Sequence, residues 1–258
     1  MSGETTPIPC PDRVREMLAA YGVALAAHEF EALGRYLAVL MDANTRTNLT
    51  AIRDPEEAWA RHLFDALTLI PVLEEVGGVD GARPRVVDIG SGGGLPGLPL
   101  AIAMAGVDFT LVDATKKKTD FLERVAATLG LANVRVVNAR AETLGRDRGE
   151  KTPGGRVGAH RGAYDAALAR AVGRIAVVAE LAVPLARVGG LVVLTKGQKA
   201  DEELGEAGVA LGALRAAHAG TIETPTGRLV VLEKTRETPR DYPRRDGEPK
   251  RSPLGVGS

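Results

Sequence analysis

Residues 85–100 read RVVDIGSGGGLPGLPL, a hydrophobic run that ends in a glycine-rich loop and restarts with a helical pattern. This feature constrains the fold most, because a strand that feeds a helix through such a loop is the opening unit of many doubly wound sheets. Glycine leaves the backbone bare, so a ligand can approach the N–H groups of the loop closely. The sequence therefore raises the question of whether that ligand carries phosphates.

Short β-branched runs alternate with helical runs in the rest of the chain after residue 84. The pattern predicts strands at 85–90, 109–113, 134–138, 165–169, 191–195 and 228–234. It predicts helices at 98–105, 116–129, 174–187 and 201–216. Such alternation is typical of an α/β fold in which helices cover both faces of a mostly parallel sheet.

The first 84 residues have a helical period instead. One apolar stripe is formed by Phe30, Leu33, Leu37 and Leu40. The stretch 54–57 (DPEE) has the capping box and the first-turn proline that begin a helix. We expect three parts: a small helical N-terminal region at 1–84, a sheet domain at 85–235 and a basic, proline-rich tail at 236–258.

Two segments outside the alternation are basic. Residues 145–163 hold five Lys or Arg and two Asp or Glu, and the chain from Lys234 onward holds seven and four, so each has a net charge of +3. Both are rich in glycine or proline, and we expect them to build no core. Because the chain as a whole is neutral, with 33 basic and 33 acidic residues, any nucleic-acid contact has to come from local basic patches such as these two segments.

The one cysteine, Cys10, has no partner for a disulfide or for a cysteine-based metal site. The chain starts without a signal-peptide pattern, and apolar runs such as 98–107 are about half as long as a membrane span. We therefore expect a cytoplasmic protein with no metal and no membrane partner.

The glycine loop matches two ligand patterns. Gly92, Gly94 and Gly97 fit the dinucleotide pattern G-x-G-x-x-G, and Asp113 lies 19 residues past Gly94, near the place of an acidic residue that binds an NAD ribose. Asp88 and the alternating glycines after it resemble instead the first motif of Rossmann-like S-adenosylmethionine (AdoMet) methyltransferases, whose ligand has no phosphate. A turn with purely structural duties is a third alternative.

Longer stretches resemble one family, the bacterial small-subunit (16S) ribosomal RNA guanine-N7 methyltransferases. They are NLTAIRDPEEAWARHLFDALTL (48–69), VVDIGSGGGLPGLPLAI (86–102), LVDATKKKTDFL (111–122), ARAE (139–142), ARAV (169–172), LTKG (194–197) and YPRRDGEPKRSPL (242–254). The resemblance implies a Rossmann-like AdoMet-dependent methyltransferase that acts, as a monomer, on 16S ribosomal RNA or the small ribosomal subunit. Ser91 stands where the family usually has threonine, and 145–163 resembles an insertion.

The resemblance also implies where the cofactor binds. The positions follow the carboxyl ends of the predicted strands: Asp88, Gly90, Gly92, Leu95, Asp113, Ala114, Thr115, Ala141, Glu142 and Arg170. Asp113 ends the second strand, where a carboxylate can accept hydrogen bonds from both ribose hydroxyls. Ala141 and Glu142 follow the third strand, where methyltransferases commonly contact the adenine.

Three basic residues are candidates for the transfer step. Arg170 follows the fourth predicted strand, at the end that faces ligands in open α/β sheets. Lys196 ends the fifth strand in the same way and is a candidate for a phosphate or for guanine O6. Arg61 lies on a helix that the resemblance places against the cleft. The alternatives are a surface ion pair between Arg61 and Asp65, at i and i+4, and a core role for His62.

Guanine N7 has an in-plane lone pair and no proton, so its methylation needs no general base. The sequence fits this chemistry, since it has no recognisable Ser-His-Asp or paired-carboxylate pattern. Two rival functions remain at this point: an NAD(P)-dependent oxidoreductase, and a non-catalytic RNA- or ribosome-binding protein with the same fold.

Overall fold

A computed structural model describes residues 6–152 and 155–255 of the chain. The strands in these residues are β1 Arg85–Ile89, β2 Asp108–Asp113, β3 Val134–Asn138, β4 Glu150–Thr152, β5 Gly155–Val157, β6 Tyr164–Arg170, β7 Ala186–Lys196, β8 Ala216–Thr224 and β9 Gly227–Lys234.

Helices surround these strands. They are α1 Asp12–Ala20, α2 Ala27–Thr47, α3 Pro55–Ala58, α4 Asp65–Leu67, α5 Ile70–Glu74, α6 Gly97–Ala103, α7 Lys116–Thr128, α8 Ala141–Arg146, α9 Ile175–Ala182, α10 Ala200–Glu206, α11 Gly208–Leu214 and α12 Glu248–Arg251. A π-helix at Trp59–Phe64 joins α3 to α4, and a 3-10 turn covers Val79–Gly81.

The main sheet confirms the predicted α/β class. Its order is β3-β2-β1-β6-β7-β9-β8. The strands from β3 to β7 pair in parallel, whereas β9 runs antiparallel to both of its neighbours. The order reverses at β1, so ligands are expected at the carboxyl ends of β1 and its neighbours. The usual dinucleotide sheet has the order 3-2-1-4-5-6 and thus differs at the β9 edge.

The strand β8 was not predicted. Sequence reasoning placed a helix at 201–216, but the structure has two short helices there, and Arg215 ends the second one with a φ of +64°. The segment that follows pairs with β9 along its whole length. Its alanines and glycine carry no strand signal, so the partner strand decides its conformation.

The N-terminal helices pack directly on the glycine loop. Tyr36 of α2 donates its hydroxyl to the carbonyl oxygen of Gly93 at 2.9 Å. A Cβ atom at position 93 would meet Leu40 Cδ1 at 2.9 Å, which explains a glycine there. One buried apolar cluster includes Leu33 and Leu37 of α2 together with Leu111 of the sheet. The helical region thus shares a core with the sheet.

Both basic segments pack on the protein, which corrects the expectation that they build no core. β4 and β5 pair as an antiparallel hairpin within 145–163. Pro243 and Pro249 of the tail are buried. Arg161 joins the two segments, because its guanidinium donates at 2.6–3.1 Å to the carbonyl oxygens of Gly145, Thr238, Pro239 and Tyr242.

Candidate active site

The N–H groups of the glycine loop are hydrogen-bonded within the protein. Six of them donate to acceptors of the chain at 2.7–3.2 Å: those of Gly90, Ser91, Gly92, Gly94, Leu95 and Gly97. A dinucleotide needs such groups, and those of the first helical turn, for its pyrophosphate. The loop therefore does not offer them as a phosphate cradle.

Asp88 ties the loop to the sheet. The carboxylate is fully buried, and its Oδ2 accepts from the Gly97 N–H at 3.2 Å. Burial raises the pKa of this carboxyl group to about 7. A Cβ atom at Gly97 would meet Leu111 Cδ2 at 2.2 Å and Asp88 Oδ2 at 2.9 Å, so helix α6 can approach the sheet only with glycine at this position. Asp88 holds the start of α6.

A cavity of about 440 Å³ opens at the carboxyl ends of β1, β2 and β3. We call it the cofactor cavity. It brings together five positions that the sequence assigned to cofactor binding: Gly90, Asp113, Ala114, Ala141 and Glu142. Apolar side chains cover much of the remaining wall: Ile89, Val112, Val172, Val177 and Leu181. An apolar wall with a few polar groups is the usual form of a small-ligand site.

Asp113 is a polar group of the cavity whose two carboxylate oxygens are both held by backbone N–H groups. Its Oδ2 accepts from the Gly92 N–H at 3.1 Å, and its Oδ1 accepts from the Thr115 N–H at 2.8 Å. Lys118 Nζ lies 3.7 Å from Oδ2. Each carboxylate oxygen accepts more than one hydrogen bond, so the group can still accept from ligand hydroxyls.

The other predicted cofactor positions do not line this cavity. Gly92 and Thr115 reach it through the Asp113 carboxylate. Leu95 packs against the apolar core, and Asp88 is buried beneath the loop. Arg170 lines a neighbouring cavity.

The second cavity, which we call the substrate cavity, has a volume of about 370 Å³ and lies at the carboxyl ends of β6 and β7. Its polar lining consists of Asp65, Arg170, Thr195, Lys196, Gln198, Lys199, Glu203 and Thr226. It therefore contains two of the three candidates for the transfer step.

Arg170 is held at one edge of its guanidinium. Its Nη2 lies 3.0 Å from Asp65 Oδ2 and donates to the Arg61 carbonyl oxygen at 2.6 Å. The other oxygen of Asp65 accepts from the Thr226 hydroxyl at 2.7 Å. Within the described residues, Arg170 Nη1 is buried and has no hydrogen-bond partner.

Arg61 does not form the surface ion pair with Asp65 that was one alternative for this helix. It pairs instead with Glu57 at 3.0 Å, and its side chain is exposed. Arg61 lies within the π-helix Trp59–Phe64, and Asp65, which directly follows it, is buried. The helix nevertheless lies against the substrate cavity, through the contacts of Arg170.

His62 is a core histidine. It is buried, and its Nε2 lies 2.5 Å from the Thr50 hydroxyl. Burial, with the nearby Arg170 charge, lowers the pKa of the imidazole to about 4. The structure thus agrees with the core alternative.

Lys196 is paired within the substrate cavity. Its Nζ donates to the Gly173 carbonyl oxygen at 2.7 Å and lies 2.5 Å from Glu203 Oε2. Glu203 therefore offsets the charge that sequence reasoning assigned to a phosphate or to guanine O6.

Sequence reasoning missed one part of the cofactor cavity. Gly247, Pro249 and Lys250 of the tail belong to its lining. The stretch YPRRDGEPKRSPL was part of the family resemblance, but its positive charge indicated contacts with nucleic acid and not a place in the cofactor cavity.

Two further features are absent from the described residues. No helix among residues 6–152 and 155–255 is long and apolar enough to cross a membrane. In the same ranges, no group of three His, Cys, Asp or Glu side chains is placed to hold a metal ion.

Comparisons with solved structures agree with the fold. A proposed O-methyltransferase from Klebsiella pneumoniae aligns with a TM-score of 0.52 and 14% identity, over 87% of this chain and 97% of that chain. A protein from Corynebacterium glutamicum aligns with a TM-score of 0.51 and 15% identity, over 88% and 97%. At this identity the likeness concerns the fold alone.

Sequence comparisons are more specific. The model of the rRNA small subunit methyltransferase G family matches residues 29–222. Ribosomal RNA small subunit methyltransferase G of Sorangium cellulosum is 50% identical over 239 residues, which cover 93% of this chain and 94% of that protein. The protein of that name from Rubrobacter xylanophilus is 40% identical over 94% of this chain and 90% of that protein. The chain therefore belongs to the ribosomal RNA small subunit methyltransferase G family.

Proposed function

We propose that the protein is an AdoMet-dependent methyltransferase that methylates N7 of a guanine in 16S ribosomal RNA. The observation that carries this proposal is the cofactor cavity beside a glycine loop whose N–H groups are hydrogen-bonded within the protein, in a chain of this family. The partner is the RNA or the small ribosomal subunit, and the proposal takes the enzyme as a cytoplasmic monomer.

The residues of the cofactor cavity fit AdoMet. The Asp113 carboxylate can accept from the two ribose hydroxyls, because its own N–H donors leave lone pairs on both oxygens. Val112, Val177 and Leu181 offer an apolar surface for the adenine ring. AdoMet has no phosphate, so the hydrogen-bonded N–H groups of the glycine loop are no obstacle to it. Bound AdoMet would supply a methyl group activated by a sulfonium.

The same observations disfavour NAD(P). In a dinucleotide site the pyrophosphate lies at the start of the helix after the glycine loop. In this chain the Gly97 N–H at that point donates to the buried Asp88 carboxylate. A pyrophosphate would need the amide that Asp88 already holds.

The protein's part in the transfer is to position the base. Guanine N7 attacks with its own lone pair, so no side chain has to remove a proton. Alignment of the reacting atoms can supply on the order of 7–11 kcal/mol. We assign this alignment to Arg170, whose unpartnered Nη1 can donate to a guanine acceptor such as O6. Lys196 and the exposed Arg61 lie near it and are candidates for RNA phosphates.

A methyl-transfer assay tests the proposal. The protein is incubated with labelled AdoMet and with small subunits that lack the modification, and the RNA is treated with borohydride and aniline. These reagents cleave at N7-methylguanine, so a reverse-transcription stop in 16S RNA is the expected result. Label that resists cleavage would contradict N7 as the target, and no incorporation would favour the non-catalytic alternative.

A thermal-shift comparison checks the cofactor independently. At a hundredfold excess over its dissociation constant, a ligand stabilises the folded state by about 2.7 kcal/mol. We expect AdoMet to raise the melting temperature and NAD to leave it unchanged. The reverse result would overturn the assignment of the cavity.

A further inference from the structure

The tail forms part of the cofactor cavity. We call residues 242–252 the strap. The strap contributes Gly247, Pro249 and Lys250 to the lining of this cavity. Pro249 is buried, although the strap has no apolar run of its own. The contacts that hold the strap therefore decide whether this side of the cavity is closed.

The strongest contact joins the strap to helix α9. The Arg244 guanidinium and backbone N–H both donate to Glu180, at 2.6 Å and 2.8 Å. The Glu180 side chain is completely buried. Helix α9 also contributes Val177 and Leu181 to the apolar wall of the cavity. The buried pair thus fixes the strap to the wall where we place the adenine ring.

A second contact joins the strap to helix α8. Glu142 Oε1 accepts from the Gly247 N–H at 2.8 Å, and only 7% of Glu142 is exposed. Gly247 has a φ of +77°, a conformation that favours glycine. Asp246 next to it accepts from Arg146 at 2.5 Å and from the Thr143 hydroxyl at 3.2 Å.

We infer that the strap is the outer wall of the adenine end of the cofactor site, and that Glu142 is a positioning residue that holds this wall. The inference rests on the proposed function, since it takes AdoMet as the ligand of the cavity. Sequence reasoning gave Glu142 a contact with the adenine itself. The structure gives its Oε1 to the strap, so Glu142 both lines the cavity and acts on the cofactor through the Gly247 backbone.

Limited proteolysis with trypsin tests the wall. Arg245 and Arg251 are exposed cleavage sites in the strap, and Lys151 is an exposed site in the β4–β5 hairpin. If the cofactor binds only under a closed strap, AdoMet at ten times its dissociation constant lowers the open population, and hence cleavage in the strap, about tenfold. Cleavage after Lys151 should not change.

Two variants test the role of Glu142. Glu142→Gln keeps an oxygen that can accept from Gly247, whereas Glu142→Ala removes it. Loss of this hydrogen bond should weaken AdoMet binding about tenfold in calorimetry. It should also speed cleavage of the strap without ligand, which a contact with adenine alone would not do. Glu142→Gln should restore both properties.

The outcomes separate the two proposals. If the wild-type protein binds no AdoMet, the proposed function fails and this inference fails with it. If AdoMet binds but leaves strap cleavage unchanged, the strap is not a wall of the site and only this inference is overturned. The wild-type experiment is decisive even if Glu142→Ala does not fold.

Discussion

Arg170 lines the substrate cavity, and only one of its two terminal guanidinium nitrogens has a hydrogen-bond partner among the described residues. The Nη2 edge is bound to Asp65 and to the Arg61 carbonyl oxygen, while Nη1 has no partner among the described residues. A buried donor without a partner costs roughly 1–3 kcal/mol, which a substrate acceptor would recover. Under the proposed function, that acceptor would come from the substrate.

We expect Arg170→Lys to separate turnover from cofactor binding. Lysine keeps a positive charge beside Asp65 but lacks the second edge of the guanidinium. Loss of one charged hydrogen bond, roughly 1.5–3 kcal/mol, corresponds to about a 10- to 100-fold lower rate of methyl transfer. Single-turnover assays and calorimetry would measure the rate and the AdoMet affinity, which should stay nearly constant. Equal losses would make Arg170 a cofactor ligand.

Arg170→Ala is a less direct test. It leaves Asp65, which is only 6% exposed, without its cation. Removing one partner of a buried pair typically costs about 3–5 kcal/mol of stability. A loss of activity in that variant would therefore report on folding as well as on chemistry.

Asp88 makes stability depend on pH. Burial raises the pKa of its carboxyl group from the ordinary 3.8 to about 7 in the folded protein. Since the folded state prefers the protonated form, this group's contribution to stability is fully present below pH 3.8 and is lost as the pH rises through about 7.

Asp88→Asn should remove this pH dependence. The amide keeps an oxygen for the Gly97 N–H and carries no charge. Above about pH 7 we expect the variant to be more stable than the wild type by on the order of 1 kcal/mol, because the lost desolvation cost exceeds that of burying the amide N–H₂. Urea unfolding at several pH values measures this, with the exposed Asp108→Asn as the control. Parallel curves for Asp88→Asn and the wild type would show that the carboxylate is not destabilised.

Among the elements, those with a local signal were predicted well. β1, β2 and β3 are short apolar runs that contain β-branched residues, and their predicted bounds differ from the structure by at most one residue. The glycines of the loop predicted that another group comes close to its backbone. Five of the ten positions predicted to bind the cofactor line the cavity at the carboxyl ends of these strands, and Asp113 at the end of β2 is one of them.

The elements that were missed depend on distant partners. The first half of β8 is rich in alanine, and the strand is paired with β9 along its length. The strap has the composition of a surface tail, but the buried carboxylates of Glu180 and Glu142 fix it. Asp65 pairs with Arg170, which is distant in sequence, and not with Arg61, which the spacing offered as one alternative. In each case, contacts distant in sequence overrode the local pattern.

Across the whole molecule, basic residues lie at both ends of the parallel strands. Those of the hairpin segment lie at the amino ends, and others lie at the carboxyl ends. The hairpin segment 145–163 precedes β6, and its end bonds to Pro184 and Leu185, which precede β7. It thus lies near the amino ends of the strands. β6 has seven residues at about 3.3 Å each, so its amino end lies roughly 20 Å from Arg170 at its carboxyl end. The exposed Arg61 and Lys199 lie at the carboxyl ends of the strands, beside the substrate cavity.

This division predicts which charges bind the RNA around the target base. In the double variant Arg61→Ser, Lys199→Ser, log affinity should fall less steeply with log salt. The magnitude of the slope should decrease by about 0.7–0.9 for each RNA phosphate that the protein no longer neutralises. Lys151→Ser in the hairpin is the matched control and should change the slope little. The measurement is binding to a 16S RNA fragment over a salt series, with AdoMet affinity followed in parallel. A larger effect of Lys151→Ser would show that the RNA binds at the amino ends of the strands, as the net charge of the hairpin segment alone suggested.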